Sequence, residues 1–132
     1  LVLLRVLFRS AAMWVQAWDH YLYNMYGKLS GGQDTIVAIG TPPGIGAIGV
    51  IRVSGEKAFV IMNRIFPSKI LSDQEANTLH IGFIKDEENV LDEVVISLFK
   101  KPSSYTGEDV IEISCHGSPY VQHQVLNAII QR

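Results

Sequence analysis

The sequence predicts an α+β domain over residues 34–132, with a mixed or antiparallel sheet and two helices. Short apolar, β-branched segments bounded by Gly, Pro, Asn and Asp indicate five strands. Two other segments, at 56–65 and 118–132, space their apolar residues three or four apart, as amphipathic helices do. The resulting order β-β-α-β-β-β-α differs from the strict strand–helix alternation of parallel α/β folds.

The composition excludes several classes of protein. A chain of 132 residues with 48% hydrophobic and 18% charged residues is long enough for one domain with a modest core and is not of disordered type. The net charge of -2 and the absence of a basic block argue against nucleic-acid binding by this segment alone. A single cysteine, Cys115, excludes a disulfide framework or a Cys-rich zinc site, and no metal site is predicted. The single cysteine fits a reducing, cytoplasmic setting. No apolar run reaches the roughly 18 residues of a transmembrane helix, so no membrane partner is expected.

Residues 1–33 differ from the rest of the chain and are assigned to an extension and linker. They contain both tryptophans and three of the five tyrosines. The hexapeptide at 5–10, RVLFRS, is also the translation of a common sequencing adapter. We therefore hypothesise that roughly the first ten residues are an assembly artefact. The alternative is an amphipathic helix from about Ser10 to Tyr26 with Ser10 as its cap, followed by a loop at 29–33.

The first half of the domain is predicted as strand, loop, strand and helix. Residues 34–41 are apolar and β-branched, and the prolines at 42–43 end that strand. A second strand covers 47–53. The helix at 56–65 would be capped by Ser54 or Gly55, with Glu56 in its first turn.

The second half is predicted as a hairpin, a further strand and a closing helix. After an irregular stretch at 69–78, strands at 79–85 and 90–99 flank a turn at 86–89. A loop rich in Ser, Pro and Gly at 100–107 leads to a strand at 109–115. Ser118 caps the last helix, and Pro119 suits its first turn.

The glycine-rich segment at 44–49 matches the pattern G-x-G-x-x-G. A dinucleotide site requires that this pattern open a helix, whose N-terminal amides bind the pyrophosphate. Here the following residues, 50–53, are strand-like, and no P-loop motif occurs in the chain. We interpret the segment as a turn between paired strands, which is compatible with a binding loop.

Two charged residues on predicted strands are candidates for ligand binding. Arg52 shares a strand face with Val50 and needs a partner, either a protein carboxylate or an anionic ligand. Glu112 shares a face with Ser114 and His116; this is either one wet face of a sheet or a carboxylate that accepts paired N–H groups from an aminopyrimidine. Adjacent strand residues point to opposite faces, so Cys115 and His116 do not form a nucleophilic pair, and Cys115 is expected in the core.

Several ordered blocks together resemble the N-terminal domain of the MnmE (TrmE) family of tRNA-modifying GTPases. They are DTIVA at 34–38, TPPG at 41–44, GAIGVIRVSG at 46–55, LDEV at 91–94, SYTGEDVIEI at 104–113 and CHG at 115–117. The resemblance implies a fold like the folate-binding part of the glycine-cleavage aminomethyltransferase. It also implies a homodimer with a tetrahydrofolate derivative, 5-formyl- or 5,10-methylene-tetrahydrofolate, near its interface. Arg52 and Glu112 match the folate-contacting arginine and glutamate of the family.

The complete proteins of this family add a GTPase domain, which uses GTP, Mg and K, and a C-terminal cysteine motif. With an MnmG-type flavoprotein they place a 5-carboxymethylaminomethyl group on the wobble uridine of tRNA. Residues 1–132 lack those elements and a further folate-contacting lysine, so the resemblance implies folate binding and dimerisation with no catalytic residue in this segment. Ile45 stands where the family usually has a basic residue, and Ser118 where it often has Gly. The alternatives are a dimerisation module without a functional folate site and a stand-alone folate-dependent one-carbon transferase.

Overall fold

The computed structural model describes residues 34–104 and 106–132 in full, and residues 5–8 as backbone. The strands of its sheet are β1 Arg5–Phe8, β2 Ile36–Ile39, β3 Ile48–Ser54, β4 Leu79–Asp86, β5 Asn89–Phe99 and β6 Val110–His116. Their order in the sheet is β1-β2-β3-β6-β5-β4. β1 pairs with β2 in parallel, and all other neighbours are antiparallel. The alternative helix at 10–26 lies outside the described residues.

Two helices, α1 Ala58–Ile65 and α2 Pro119–Ile130, supply apolar side chains to one common core. Alternate residues of the strands meet them there, as the period-2 pattern predicts. The fully buried core residues include Val37, Ile51, Val53, Met62, Ile65, Ile96, Leu98, Ile111, Ile113 and Ile129. The predicted α+β class with a mixed or antiparallel sheet and two helices is confirmed.

The predicted cap of the first helix is wrong. α1 begins at Ala58 after Lys57, with no side-chain cap on that residue and no acidic residue in its first turn. Ser54 is the last residue of β3, and Gly55 turns the chain at φ +130, where a Cβ would lie 2.7 Å from the Cα of Thr35. The hydroxyl of Thr35 accepts the Lys57 N–H at 3.0 Å. Thr35, more than twenty positions earlier in the chain, therefore accepts an N–H at the start of α1, the role that the local sequence predicts for Ser54 or Gly55.

The rest of the chain follows the predicted order with small differences. The irregular stretch at 69–78 contains a short 3-10 helix, Leu71–Asp73. β4 and β5 form the predicted hairpin, with a register shift between Ile84 and Lys85. Ser118 caps α2 as predicted, since its hydroxyl accepts the N–H of Val121 at 3.5 Å. The helix ends at Ile130, two residues before its predicted end.

Candidate functional site

Arg52 and Glu112, the two candidate ligand residues, lie opposite each other on β3 and β6. The Arg52 Nε donates to Glu112 Oε1 at 3.0 Å, and Nη2 donates to the same oxygen. Their side chains are 39% and 26% exposed, so the pair is half-buried and not screened like a fully solvated one. The Glu112 carboxylate is thus the acceptor that a guanidinium among aliphatic side chains needs.

The two side chains lie on the face of the sheet opposite the helices. Along β3, Gly49, Ile51 and Val53 are buried, and the residues between them are partly exposed. β6 alternates in the same way from Ile111 to Cys115. The strand-face assignment of Arg52 and Glu112 from sequence is therefore confirmed, and we call this the open face.

The two residues that precede β6, Glu108 and Asp109, contact the end of β3. Gly55 donates its N–H to the Asp109 carbonyl at 2.9 Å, which joins this segment to the end of β3. The Ser54 hydroxyl donates to Glu108 Oε2 at 3.1 Å, so a second carboxylate lies beside the row of Arg52. Within residues 34–104 and 106–132, the buried Thr106 hydroxyl oxygen has no hydrogen-bond partner.

The glycine-rich segment is a turn, as interpreted from sequence, and β3 rather than a helix follows it. Gly46 donates its N–H to the Gly117 carbonyl at 3.0 Å, and Gly117 donates to the Ala47 carbonyl at 3.2 Å. A Cβ on Gly117 would lie 2.1 Å from the Gly46 oxygen. These contacts fix the turn against the end of β6. The arrangement required for pyrophosphate binding at a helix N-terminus is absent from this segment.

Asp92 contacts His116 where β6 ends. Its Oδ2 accepts the His116 backbone N–H at 2.8 Å, and its Oδ1 lies 2.7 Å from Nδ1 of the imidazole. Sequence reasoning placed His116 in the row of Glu112 but missed the role of Asp92. In the sequence, Asp92 is visible only as an acidic residue of a strand near the hairpin turn. That pattern does not indicate that its carboxylate contacts His116.

Cys115 is a core residue, as predicted. Its thiol is buried and donates to the Gly49 carbonyl at 3.4 Å. Burial, followed by the nearby Asp92 carboxylate, raises the pKa of Cys115 to about 11. Because the thiolate is the reactive form, this cysteine is unsuited to nucleophilic catalysis.

Residues 34–104 and 106–132 contain no group of three or more His, Cys, Asp or Glu side chains arranged to hold a metal ion. Within the same ranges, no helix is long and apolar enough to cross a membrane.

Comparison with known proteins places the sequence in one family. The family described as "GTP-binding protein TrmE N-terminus" matches residues 35–132. The "tRNA modification GTPase MnmE" of Flavobacterium johnsoniae is 53% identical over 103 residues, covering 76% of this chain and 22% of the relative. The proteins of the same name from Cytophaga hutchinsonii and Bacteroides thetaiotaomicron are 52% and 53% identical over 99 and 103 residues, each covering 75% of this chain. The chain spans 22% of the length of these relatives. Over residues 35–132, the chain therefore belongs to the family of the N-terminal domain of the tRNA modification GTPase MnmE, or TrmE.

Proposed function

We propose that this chain is the part of a tRNA-modifying GTPase that binds a tetrahydrofolate derivative and pairs two subunits. The observation that carries the proposal is the Arg52–Glu112 pair on the open face of the sheet. Within the whole protein, the folate would supply the one-carbon unit for the wobble uridine, with an MnmG-type flavoprotein and tRNA as cytoplasmic partners. GTP, Mg and K would bind in the GTPase domain of that protein.

The chemistry of the pair suits the aminopyrimidine ring of a reduced folate. Such a ring presents adjacent N–H donors and a carbonyl acceptor, which complement a carboxylate and a guanidinium. The two hydrogen bonds that Arg52 donates to Glu112 end on Oε1, so Oε2 is the oxygen that would accept the ring N–H groups. Arg52 would hold the carboxylate in place before the ligand arrives, which lowers the entropic cost of binding.

Pairing of two subunits is supported by the apolar surface of β4. Leu79, Ile81 and Phe83 alternate with core residues along this strand and are 70%, 67% and 44% exposed. β4 is the last strand of the sheet in its order. A row of large apolar side chains on an edge strand is typical of an interaction surface. This row also favours the second candidate function, a dimerisation module that binds no folate.

Calorimetric titration with 5-formyltetrahydrofolate tests the folate proposal. The expected result is roughly micromolar binding that Glu112→Gln weakens by about 1.5–3 kcal/mol, the range for a hydrogen bond to a charged group. Glu88→Gln, in the exposed β4–β5 turn, removes the same charge away from the site and should leave affinity unchanged. Equal affinity of the Glu112→Gln variant and the parent would remove Glu112 from the site.

Sedimentation of the parent and Ile81→Glu chains tests the pairing proposal. The parent should sediment as a dimer and the variant as a monomer, because a buried unpaired carboxylate opposes association. Lys85→Gln, on the same strand, changes the net charge by the same single unit and is the control for the change in charge. A dimer that does not bind folate would support the module without a ligand site; a monomeric parent would refute the assigned surface.

A further inference from the structure

The contact between Asp92 and His116 fixes one imidazole nitrogen and leaves the other directed outward. The Asp92 carboxylate faces both the backbone N–H and Nδ1 of His116, at 2.8 and 2.7 Å. A carboxylate at that distance requires that Nδ1 carry hydrogen. In the neutral ring, Nε2 is then the acceptor nitrogen, on the side of the ring away from Asp92.

The two side chains differ greatly in exposure. The Asp92 side chain is 9% exposed, and that of His116 is 71% exposed. Desolvating a carboxylate costs free energy, which its two hydrogen bonds to His116 offset. A nearly buried carboxylate that orients a mostly exposed imidazole resembles the arrangement by which proteins position a histidine for binding.

The backbone around Asp92 departs from regular pairing. On the hairpin, Ile84 pairs with Asp92 but Lys85 pairs with Val90, so one residue of β5 has no partner. The pairs between β5 and β6 run from Phe99 and Val110 to Val95 and Ser114, two residues short of His116. Asp92 thus supplies an acceptor for the His116 N–H where the ladder between β5 and β6 ends. Bulges of this kind often redirect a side chain next to a functional site.

His116 lies on the same strand as Glu112 of the proposed folate site and is paired with an exposed apolar residue, Ile48. Glu112 is four residues before His116 on the same strand, which separates their Cα atoms by about 13 Å at the usual rise of a β-strand. Ile48, the partner of His116 on β3, is 62% exposed. The end of β6 therefore combines a hydrogen-bond acceptor with an exposed apolar side chain.

We propose that His116, positioned by Asp92, binds the aminobenzoyl part of the reduced folate. Nε2 accepts an N–H of this part, and Ile48 packs against its aromatic ring. The inference rests on the proposed folate site. A reduced folate is elongated, with the aminopyrimidine at one end and the aminobenzoyl amide towards the other. With the first ring at Glu112, a ligand that extends along β6 towards the end of this strand would bring its aminobenzoyl amide to His116.

Two substitutions of His116 separate its two nitrogens. His116→Asn retains a donor to Asp92 and loses the acceptor at the Nε2 position, whereas His116→Gln retains an acceptor near that position. In calorimetric titration of the chain with 5-formyltetrahydrofolate, we expect His116→Asn to weaken binding about fivefold to tenfold, and His116→Gln to weaken it less. Equal affinity of His116→Asn and the parent would overturn the proposal.

The role of Asp92 has a spectroscopic test. In the parent chain, the ¹⁵N shifts of the His116 ring should report hydrogen on Nδ1, and Asp92→Asn should change this tautomer and weaken folate binding. An unchanged tautomer in Asp92→Asn would refute positioning by Asp92. In the complex, nuclear Overhauser contacts from the His116 ring should reach the aminobenzoyl protons; contacts with the pteridine alone, or none, would contradict the assignment.

These outcomes separate the inference from the proposed function. If the parent chain binds no folate, both fail. If Glu112→Gln weakens binding but His116→Asn does not, the inference fails and the folate site at Arg52 and Glu112 stands. Ile48→Ala provides an independent check, since loss of its side chain should weaken binding about threefold or more.

Discussion

Replacement of Gly117 by Ala should destabilise the domain strongly. The added Cβ would lie 2.1 Å from the Gly46 oxygen, 2.4 Å from the Gly46 carbon and 2.9 Å from the Ile48 nitrogen. All three are backbone atoms, so no side-chain rotation relieves the clash. The glycine-rich turn must therefore move away from the end of β6.

The size of the effect follows from what this movement breaks. The two hydrogen bonds between the turn and Gly117, at 3.0 and 3.2 Å, are lost at about 1 kcal/mol each. Overpacking adds roughly 1–3 kcal/mol. We expect the free energy of unfolding to fall by about 3–5 kcal/mol, measured by urea denaturation with linear extrapolation.

Gly46→Ala is the matched control because it adds the same methyl group on the other side of this contact. Its Cβ would lie 3.5 Å from the Ile48 oxygen, which is an ordinary contact distance. Its unfolding free energy should stay within about 1 kcal/mol of the parent. If Gly117→Ala unfolds at the same urea concentration as the parent, the space beside Gly117 can accommodate a methyl group, and the predicted clash with Gly46 is refuted.

Three further predictions concern buried or anchoring groups. Cys115 should react with iodoacetamide at pH 8 far more slowly in the folded chain than in denaturant, because its pKa is raised to about 11; equal rates would contradict burial. Burial, and secondarily Lys69, lowers the pKa of His80 below 6.5, so the unfolded chain takes up the proton first. The contribution of His80 to stability is therefore present above pH 6.5 and lost as pH falls, and His80→Gln should show a smaller drop in urea midpoint from pH 7 to pH 5 than the parent. Lys100→Met should cost about 1–3 kcal/mol in urea denaturation, because the ammonium donates to the Ser72 and Gln74 carbonyls at 2.7 and 2.5 Å; an unchanged midpoint would show that this anchor contributes no stability.

Local sequence patterns predicted most of the fold because they depend on neighbours along the chain. Period-2 alternation predicted the strand faces of Arg52 and of Glu112 separately, and the structure shows that both lie on the same face of the sheet. The cap of α2 was equally predictable, since Ser118 and Pro119 lie directly before the helix.

Contacts across the fold were not predictable from the same patterns. Thr35 satisfies the N–H of Lys57 only because the Gly55 turn brings β2 beside the start of α1. Asp92 reaches His116 across the end of the β5–β6 ladder, next to the register shift of the hairpin. Strand register decides such partners, and a single sequence does not encode register in its hydrophobic period.

The most direct test of the account is to map where 5-formyltetrahydrofolate binds, by following the backbone amide signals of the chain in an NMR titration. If the folate binds as proposed, the shifts should concentrate on the open face, around Arg52 on β3 and from Glu112 to His116 on β6. Glu112→Gln should suppress them at equal ligand concentration. Shifts confined to α1 and α2, or none in the folded chain, would contradict the assignment of this face as the folate site.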